Sequence, residues 1–134
     1  MEIQSRDFTQ NGTISREYTC DGANVSPPLT FENPPPEAES LALILMDTSP
    51  RDENFYHWIV WNIPMDVYNF RKGMSTGYPG SFPKDCVMGE NDYGEVSYRG
   101  PCPPESRRHR YQFTLYALEE QVALVEGEDK RKFN

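Results

Sequence analysis

The sequence predicts an antiparallel β-sandwich with little helix. Its apolar residues fall in short runs that are bounded by Gly, Pro and polar turn residues, which is typical of strands. There are 12 prolines, and they cluster in the intervening loops. The 134 residues and their 37% hydrophobic content suffice for one core, so we expect a single domain over residues 1–134.

The N-terminal part of the chain predicts short elements separated by turns. An edge strand is expected within residues 3–8, and Asn11–Gly12 is a strong turn signal. Residues 14–19 are expected to form a second strand. A long irregular stretch follows Asp21–Gly22, and residues 29–31 form a short strand.

Three longer strands are predicted in the rest of the chain. Leu41–Met46 is continuously apolar over six residues, which favours a strand buried on both faces over a helix. Phe55–Ile63 is rich in aromatic and β-branched residues and is stopped by Pro64. Residues 65–97 show no periodicity, and a loop of that length is often functional. Tyr111–Leu118 is the last strand predicted.

The charge and hydropathy of the chain exclude several classes of partner. The formal net charge is −8, which disfavours nucleic acid and anionic membrane surfaces because both require a basic field. No segment approaches the apolar length of a transmembrane helix. No apolar signal region follows Met1, although a chain whose signal had been removed would look the same. We therefore expect a cytoplasmic protein.

Three cysteines are present, at positions 20, 86 and 102. Their spacing does not fit a zinc site. We expect reduced thiols, with one disulfide plus a free thiol as the open alternative; the sequence does not choose the pair. For Cys102, a structural role fixed by the neighbouring prolines is favoured over a reactive thiol.

Polar side chains stand at the ends of the three long strands. Asp47 follows the first, and His57 begins the apolar part of the second, on the face expected to carry Ile59, Trp61 and Ile63. His109 and Tyr111 share the face that Phe113 and Leu115 continue. If the strands are neighbours, Asp47, His57, His109 and Tyr111 converge at one end of the sheet. Imidazole and phenol groups can all donate hydrogen bonds, so the pattern indicates a small-ligand pocket.

Nine short motifs in order resemble the phosphatidylethanolamine-binding protein family, also called Raf-kinase-inhibitor-like proteins, in its short bacterial and archaeal form. The resemblance runs from about residue 12 to residue 120. The motifs are Tyr18–Gly22, Ser26–Pro27, Asp47–Pro50, His57–Trp58, Asn62–Pro64, Gly89–Gly94, Gly100–Pro104, His109–Tyr111 and Leu115–Leu118.

The resemblance implies a two-sheet Greek-key β-sandwich with an anion pocket at one end. Such pockets hold phosphate, acetate or a phosphoethanolamine headgroup. Carried over motif by motif, the ligand-binding residues are Asp47, His57, Cys102, Pro103, His109 and Tyr111. No cofactor is implied.

The chain departs from the family pattern in places. Asp47–Pro50 is one residue shorter than usual and carries a single acid, and Arg107 and Arg108 stand where a glycine turn is common. The sequence stops at Asn134, where the family usually continues with a further helix and strand. We therefore expect an exposed edge that a homodimer could cover.

We expect a binding protein, not an enzyme. It would hold a small anion or a phosphoethanolamine-like ligand and regulate a kinase or protease partner. One alternative is a metal-dependent enzyme that uses Asp47, His57 and His109 as ligands. Another is a hydrolase with Ser49 or Cys102 as nucleophile, although no nucleophile-elbow motif is present.

Overall fold

The computed structural model describes residues 1–48, 55–74, 82–83, 85–102 and 109–123. Within them the chain forms seven strands and one short 3-10 helix. The helix is Arg16–Tyr18. The strands are β1 (Glu2–Gln4), β2 (Leu29–Glu32), β3 (Ser40–Asp47), β4 (Phe55–Ile63), β5 (Asn69–Phe70), β6 (Val87–Met88) and β7 (Tyr111–Leu118).

The strands form two antiparallel sheets that pack face to face. The smaller sheet has the order β1-β2-β5, and the larger has the order β6-β4-β3-β7. Leu29, Phe31 and Phe70 of the smaller sheet belong to the same buried cluster as the inward residues of the larger one. The fold is therefore the mainly β, two-sheet antiparallel sandwich that the sequence predicts.

Strand β3 lies between β4 and β7 in the larger sheet and is covered on both faces. Leu41, Leu43 and Leu45 point into the cluster between the sheets. Ala42 and Ile44 join a second cluster with Ile59 and Trp61 on the opposite face. Burial on both faces explains why the sequence of β3 is a continuous apolar run without alternation.

Strand β4 carries two register shifts against β3. Leu45 pairs with Trp58 but Met46 pairs with Tyr56, so His57 is an extra residue without a Cα partner. A second shift lies between Leu41 and Leu43, where Asn62 has a φ of 55°. An extra residue in one strand reverses which side the following side chains face.

These shifts overturn the face predicted for His57. Its ring contacts Tyr111, which packs against the cluster between the sheets, whereas Ile59 and Trp61 lie in the other cluster. Ile63 is in the first cluster as well. Strict alternation fails here because the strand contains one residue more than its partner at each shift.

The strand predicted over residues 14–19 is wrong. Tyr18 N donates to Ser15 O at 3.0 Å, the i→i+3 bond of a 3-10 turn. The Tyr18 side chain is fully buried, and its hydroxyl donates to the Asp7 carboxylate. The buried Tyr18 ring and the hydrogen bond of its hydroxyl hold this segment, which does not pair with a strand of the described residues.

One further expectation concerns membrane spans. No helix in the described parts of the chain has the length and apolarity needed to cross a membrane.

Candidate functional site

The site lies at one end of the larger sheet, where three strands stand side by side. Asp47 is the last residue of β3 and is in register with Phe55 of β4 and Tyr111 of β7. Beyond the last pair, Thr48 N donates to Arg110 O at 2.9 Å and continues the contact. Two residues before Tyr111 stands His109, so the predicted convergence of these side chains is present in the fold.

His109 and Asp47 form a close pair. Nδ1 of His109 lies 2.6 Å from a carboxylate oxygen of Asp47. The Asp47 side chain is only 7% exposed, whereas the His109 side chain is 19% exposed. Since a carboxylate accepts, the bond places a proton on Nδ1 and leaves Nε2 on the outer side of the ring.

His57 is held by a different partner. Its Nδ1 lies 2.7 Å from the carbonyl oxygen of Arg99, which can only accept, so Nδ1 carries the proton. Burial lowers the pKa of His57, and the Arg99 carbonyl and the charges of Asp47 and Asp92 oppose this only in part. The imidazole is therefore neutral near neutral pH, with a lone pair at Nε2.

The ring of Tyr111 lies close to both imidazoles. Its ring centroid is 5.6 Å from that of His57 and 6.3 Å from that of His109. Burial, followed by the charge of Asp47, raises the pKa of its phenol, so the hydroxyl remains a hydrogen-bond donor. The rings of Phe55 and Tyr93 also pack on His57, with ring centroids 5.1 and 5.6 Å away. The site is thus a polar centre within an aromatic frame.

Residues 98–102 form a wall beside His57. Tyr98 Oη donates to Tyr18 O at 2.6 Å, and Gly100 N donates to Asn24 Oδ1 at 2.8 Å. A Cβ at Gly100 would lie 1.9 Å from Tyr18 O, so only glycine permits this approach. The wall therefore packs directly on the Tyr18–Asn24 segment.

Comparison with known proteins identifies the family. Residues 4–134 match the sequence profile described as "Phosphatidylethanolamine-binding protein". A UPF0098 protein of Methanothermobacter thermautotrophicus is 42% identical over 130 residues, covering 97% of this chain and 84% of that protein. The chain belongs to the phosphatidylethanolamine-binding protein family.

Solved structures of family members have the same fold. A putative phosphatidylethanolamine-binding protein homologue from Chlamydia trachomatis superposes with a TM-score of 0.83 at 36% identity, covering 98% of this chain and 83% of that one. An E. coli protein called a new member of the mammalian family gives a TM-score of 0.87 at 27% identity, covering 96% and 82%. The family resemblance inferred from the motifs is confirmed.

The residues predicted for the site divide into three groups. Asp47, His57, His109 and Tyr111 come together in this family member. Cys102 is exposed and is joined to Cys20 by a disulfide, so the expectation of reduced thiols is wrong for this pair. Cys86 is free, and burial raises its pKa to about 12. Pro103 lies outside the described residues, as does Ser49, the serine considered as a nucleophile.

The described residues contain no group of three His, Cys, Asp or Glu side chains placed to hold a metal ion. The Asp47 carboxylate faces Nδ1 of His109, and Nδ1 of His57 faces a backbone carbonyl. The geometry therefore gives the metal-dependent alternative no support. Cys102, bonded to Cys20, is not available as a thiol nucleophile either.

Two residues that support the site were not predicted. Asn91 is 2% exposed and accepts from the backbone N–H of Tyr93 and Glu95 while donating to Ser97 O. Arg99 fixes His57 through its carbonyl. Asn91 lies within the Gly89–Gly94 motif that contributed to the family resemblance, so a signal existed for it. Arg99 acts through its backbone carbonyl, which every residue type has, so the sequence contains no signal for its role.

Proposed function

We propose that this pocket binds a small oxyanion, including the phosphate of a phosphorylated headgroup. The observation that supports this is the set of three polar atoms left for a ligand: Nε2 of His57, Nε2 of His109 and the Tyr111 hydroxyl. Within the described residues no hydrogen bond uses any of the three, while both Nδ1 atoms are held in place.

The chemistry of these atoms fits a group that both donates and accepts protons. The Tyr111 hydroxyl donates to an anionic oxygen. Neutral His57 presents an acceptor, so it binds either the P–OH of a hydrogenphosphate or, after taking up a proton, a fully ionised oxygen. The Asp47 carboxylate beside His109 limits how much negative charge the site accepts. These features favour small, singly charged anions over polyanions.

Calorimetric titration with phosphate, phosphoethanolamine and acetate tests this proposal. Tyr111→Phe removes one hydroxyl and should weaken phosphate binding about fivefold, the effect of one neutral hydrogen bond. Tyr116→Phe makes the same change on the opposite, exposed side of β7 and serves as the matched control. His57→Ala should weaken binding more strongly. Absence of binding by the parent, or equal affinity in all variants, would refute the site.

The same proposal extends to a regulatory role. The Raf-kinase-inhibitor-like resemblance supports a kinase or protease as the partner that occupies this pocket with an anionic side chain. Assays of purified enzymes with and without the protein test this role, and free phosphate should compete with the partner. If His57→Ala still inhibits the enzyme, the partner binds outside this pocket. Light scattering of the purified chain tests whether it forms a homodimer, and fractionation tests the expected cytoplasmic location.

A further inference from the structure

The disulfide between Cys20 and Cys102 joins two irregular segments that the chain separates by 82 residues. Neither cysteine belongs to a strand, and both are exposed. An exposed disulfide is open to attack by thiols, in contrast to a bridge buried in a core. The anion-binding chemistry proposed above does not use this bond.

The bridged segment is the wall that holds His57. Arg99, whose carbonyl accepts from Nδ1 of His57, stands three residues before Cys102. Its backbone N–H also donates to the His57 carbonyl at 3.3 Å. The position and tautomer of His57 therefore depend on where residues 98–102 lie.

Besides the disulfide, hydrogen bonds among the described residues hold the wall to the facing segment. They include Tyr98 Oη to Tyr18 O, Gly100 N to Asn24 Oδ1, and Cys20 N to Pro101 O at 3.1 Å. No strand pairing joins the two segments in the described residues. Tyr98, at the start of the wall, is buried against the core, whereas Cys102 at its other end is exposed. Without the covalent bond, local opening can therefore begin at Cys102, and such openings cost less free energy than global unfolding.

We propose that Cys20–Cys102 is a thiol–disulfide exchange site whose reduction weakens the neighbouring anion pocket. The proposal rests on the function proposed above. In the oxidised protein the wall holds Arg99 against His57. In the reduced protein the wall opens more often, and in the open form Nδ1 of His57 loses its acceptor, so Nε2 is no longer fixed as the ligand-facing atom.

The reaction balances with a dithiol as reductant. A thiolate of the reductant attacks one exposed cysteine sulfur, the protein S–S bond breaks, and the other cysteine leaves as a thiolate. The second thiol of the reductant then attacks the mixed disulfide and releases the first cysteine. The protein gains two electrons and two protons, and the reductant becomes a cyclic disulfide.

Calorimetry with phosphate on the oxidised and the dithiothreitol-reduced protein tests the proposal. Dithiothreitol is chosen because it is uncharged, whereas a carboxylate-bearing phosphine would compete for an anion site. We expect phosphate affinity to fall about fivefold on reduction, as for the loss of one neutral hydrogen bond. The double variant Cys20→Ser/Cys102→Ser should bind like the reduced protein and should not respond to dithiothreitol. Cys86→Ser, which leaves the bridge intact, should respond like the parent.

A second measurement separates this proposal from the function on which it rests. Nitrogen-15 NMR of the imidazole reports the His57 tautomer without any ligand. We expect a single Nδ1–H form when oxidised and a mixture of tautomers when reduced. If phosphate does not bind the oxidised protein, the proposed function fails, and the NMR result alone decides the exchange site. Equal affinity and an unchanged tautomer after thiol counting has verified reduction would overturn the exchange proposal, as would a bridge that excess dithiothreitol leaves intact.

Discussion

Nδ1 of His57 donates a hydrogen bond to the carbonyl oxygen of Arg99 across 2.7 Å, whereas Nδ1 of His109 faces the carboxylate of Asp47 across 2.6 Å. One imidazole is thus held by a neutral acceptor and the other by a charged one. The two imidazoles therefore differ in their hydrogen-bond partners, and a ligand that contacts both would interact with two chemically different histidines.

Anion binding is expected to take up protons. The pKa of His57 is lowered in the free protein, chiefly by burial, and a bound anion favours the protonated ring. Affinity should therefore fall as the pH rises. Acetate, which does not itself titrate near neutral pH, is the suitable ligand. Calorimetry at pH 7 in bis-tris and in Tris, which are cationic and do not compete, should give different enthalpies that correspond to an uptake of up to about one proton. Equal enthalpies in the two buffers would mean that neutral donors bind the anion.

Burial of His57 should also make the protein sensitive to acid. The folded-state pKa is lower than the unfolded value of about 6.5, so the unfolded chain binds more protons in the window below pH 6.5. The contribution of His57 to the free energy of unfolding therefore falls as the pH falls through that window, by up to about 1.4 kcal/mol per pH unit. Denaturant titrations from pH 7.5 to 5 measure it. In His57→Gln, which cannot titrate there, the loss over this range should be smaller; parallel curves for the two proteins would contradict the assignment.

The disulfide should contribute strongly to global stability. It closes a loop of 82 residues, for which chain entropy predicts about 4.5 kcal/mol of stabilisation. Cys20→Ser/Cys102→Ser should lower the free energy of unfolding by an amount of this order, measured by denaturant titration under non-reducing conditions. Cys86→Ser controls for loss of a thiol without loss of a bridge. A double variant as stable as the control would show that the unfolded chain gains little freedom when the bridge is removed.

Gly100 should not tolerate a side chain. The added methyl of Gly100→Ala would lie 1.9 Å from Tyr18 O, so the wall or the facing segment must move, at a cost of about 3 kcal/mol or more. Gly73→Ala is the matched comparison, because Gly73 has a φ of +75° but nothing within 4 Å. It should cost only about 1 kcal/mol, for the left-handed backbone alone. Thermal unfolding should show a larger loss of stability for Gly100→Ala than for Gly73→Ala. The opposite ranking would mean that the close approach at Gly100 is unimportant.

Local sequence pattern was sufficient for the long strands and for the placement of polar residues at their ends. Leu41–Met46 and Phe55–Ile63 are central strands with both faces largely buried. A strand buried on both faces has a continuous apolar sequence, which can be recognised directly. Asp47, His109 and Tyr111 follow from strand ends alone, since β3 and β7 are neighbours with a continuous register. The family motifs were needed to expect that the strands carrying these ends are in fact neighbours.

The parts that could not be predicted depend on contacts that no local pattern encodes. The segment around Tyr18 alternates like a strand, yet a single buried tyrosine and its bond to Asp7 determine its conformation. The pairing of Cys20 with Cys102 depends on the packing of Gly100 against Tyr18, a long-range contact. The acceptor for His57 is a main-chain carbonyl, which any residue at position 99 would supply.

The extra residue in β4 makes the site depend on the number of residues in that strand as well as on their identity. At the shift near the site, His57 has no Cα partner in β3, and Trp58 and Tyr56 on either side pair normally. Removing a residue next to His57 would restore continuous pairing at this shift, and His57 would no longer be the extra residue whose ring contacts Tyr111. Deletion of one neighbouring residue of β4 would therefore displace His57 from the site while every functional residue remained in the chain.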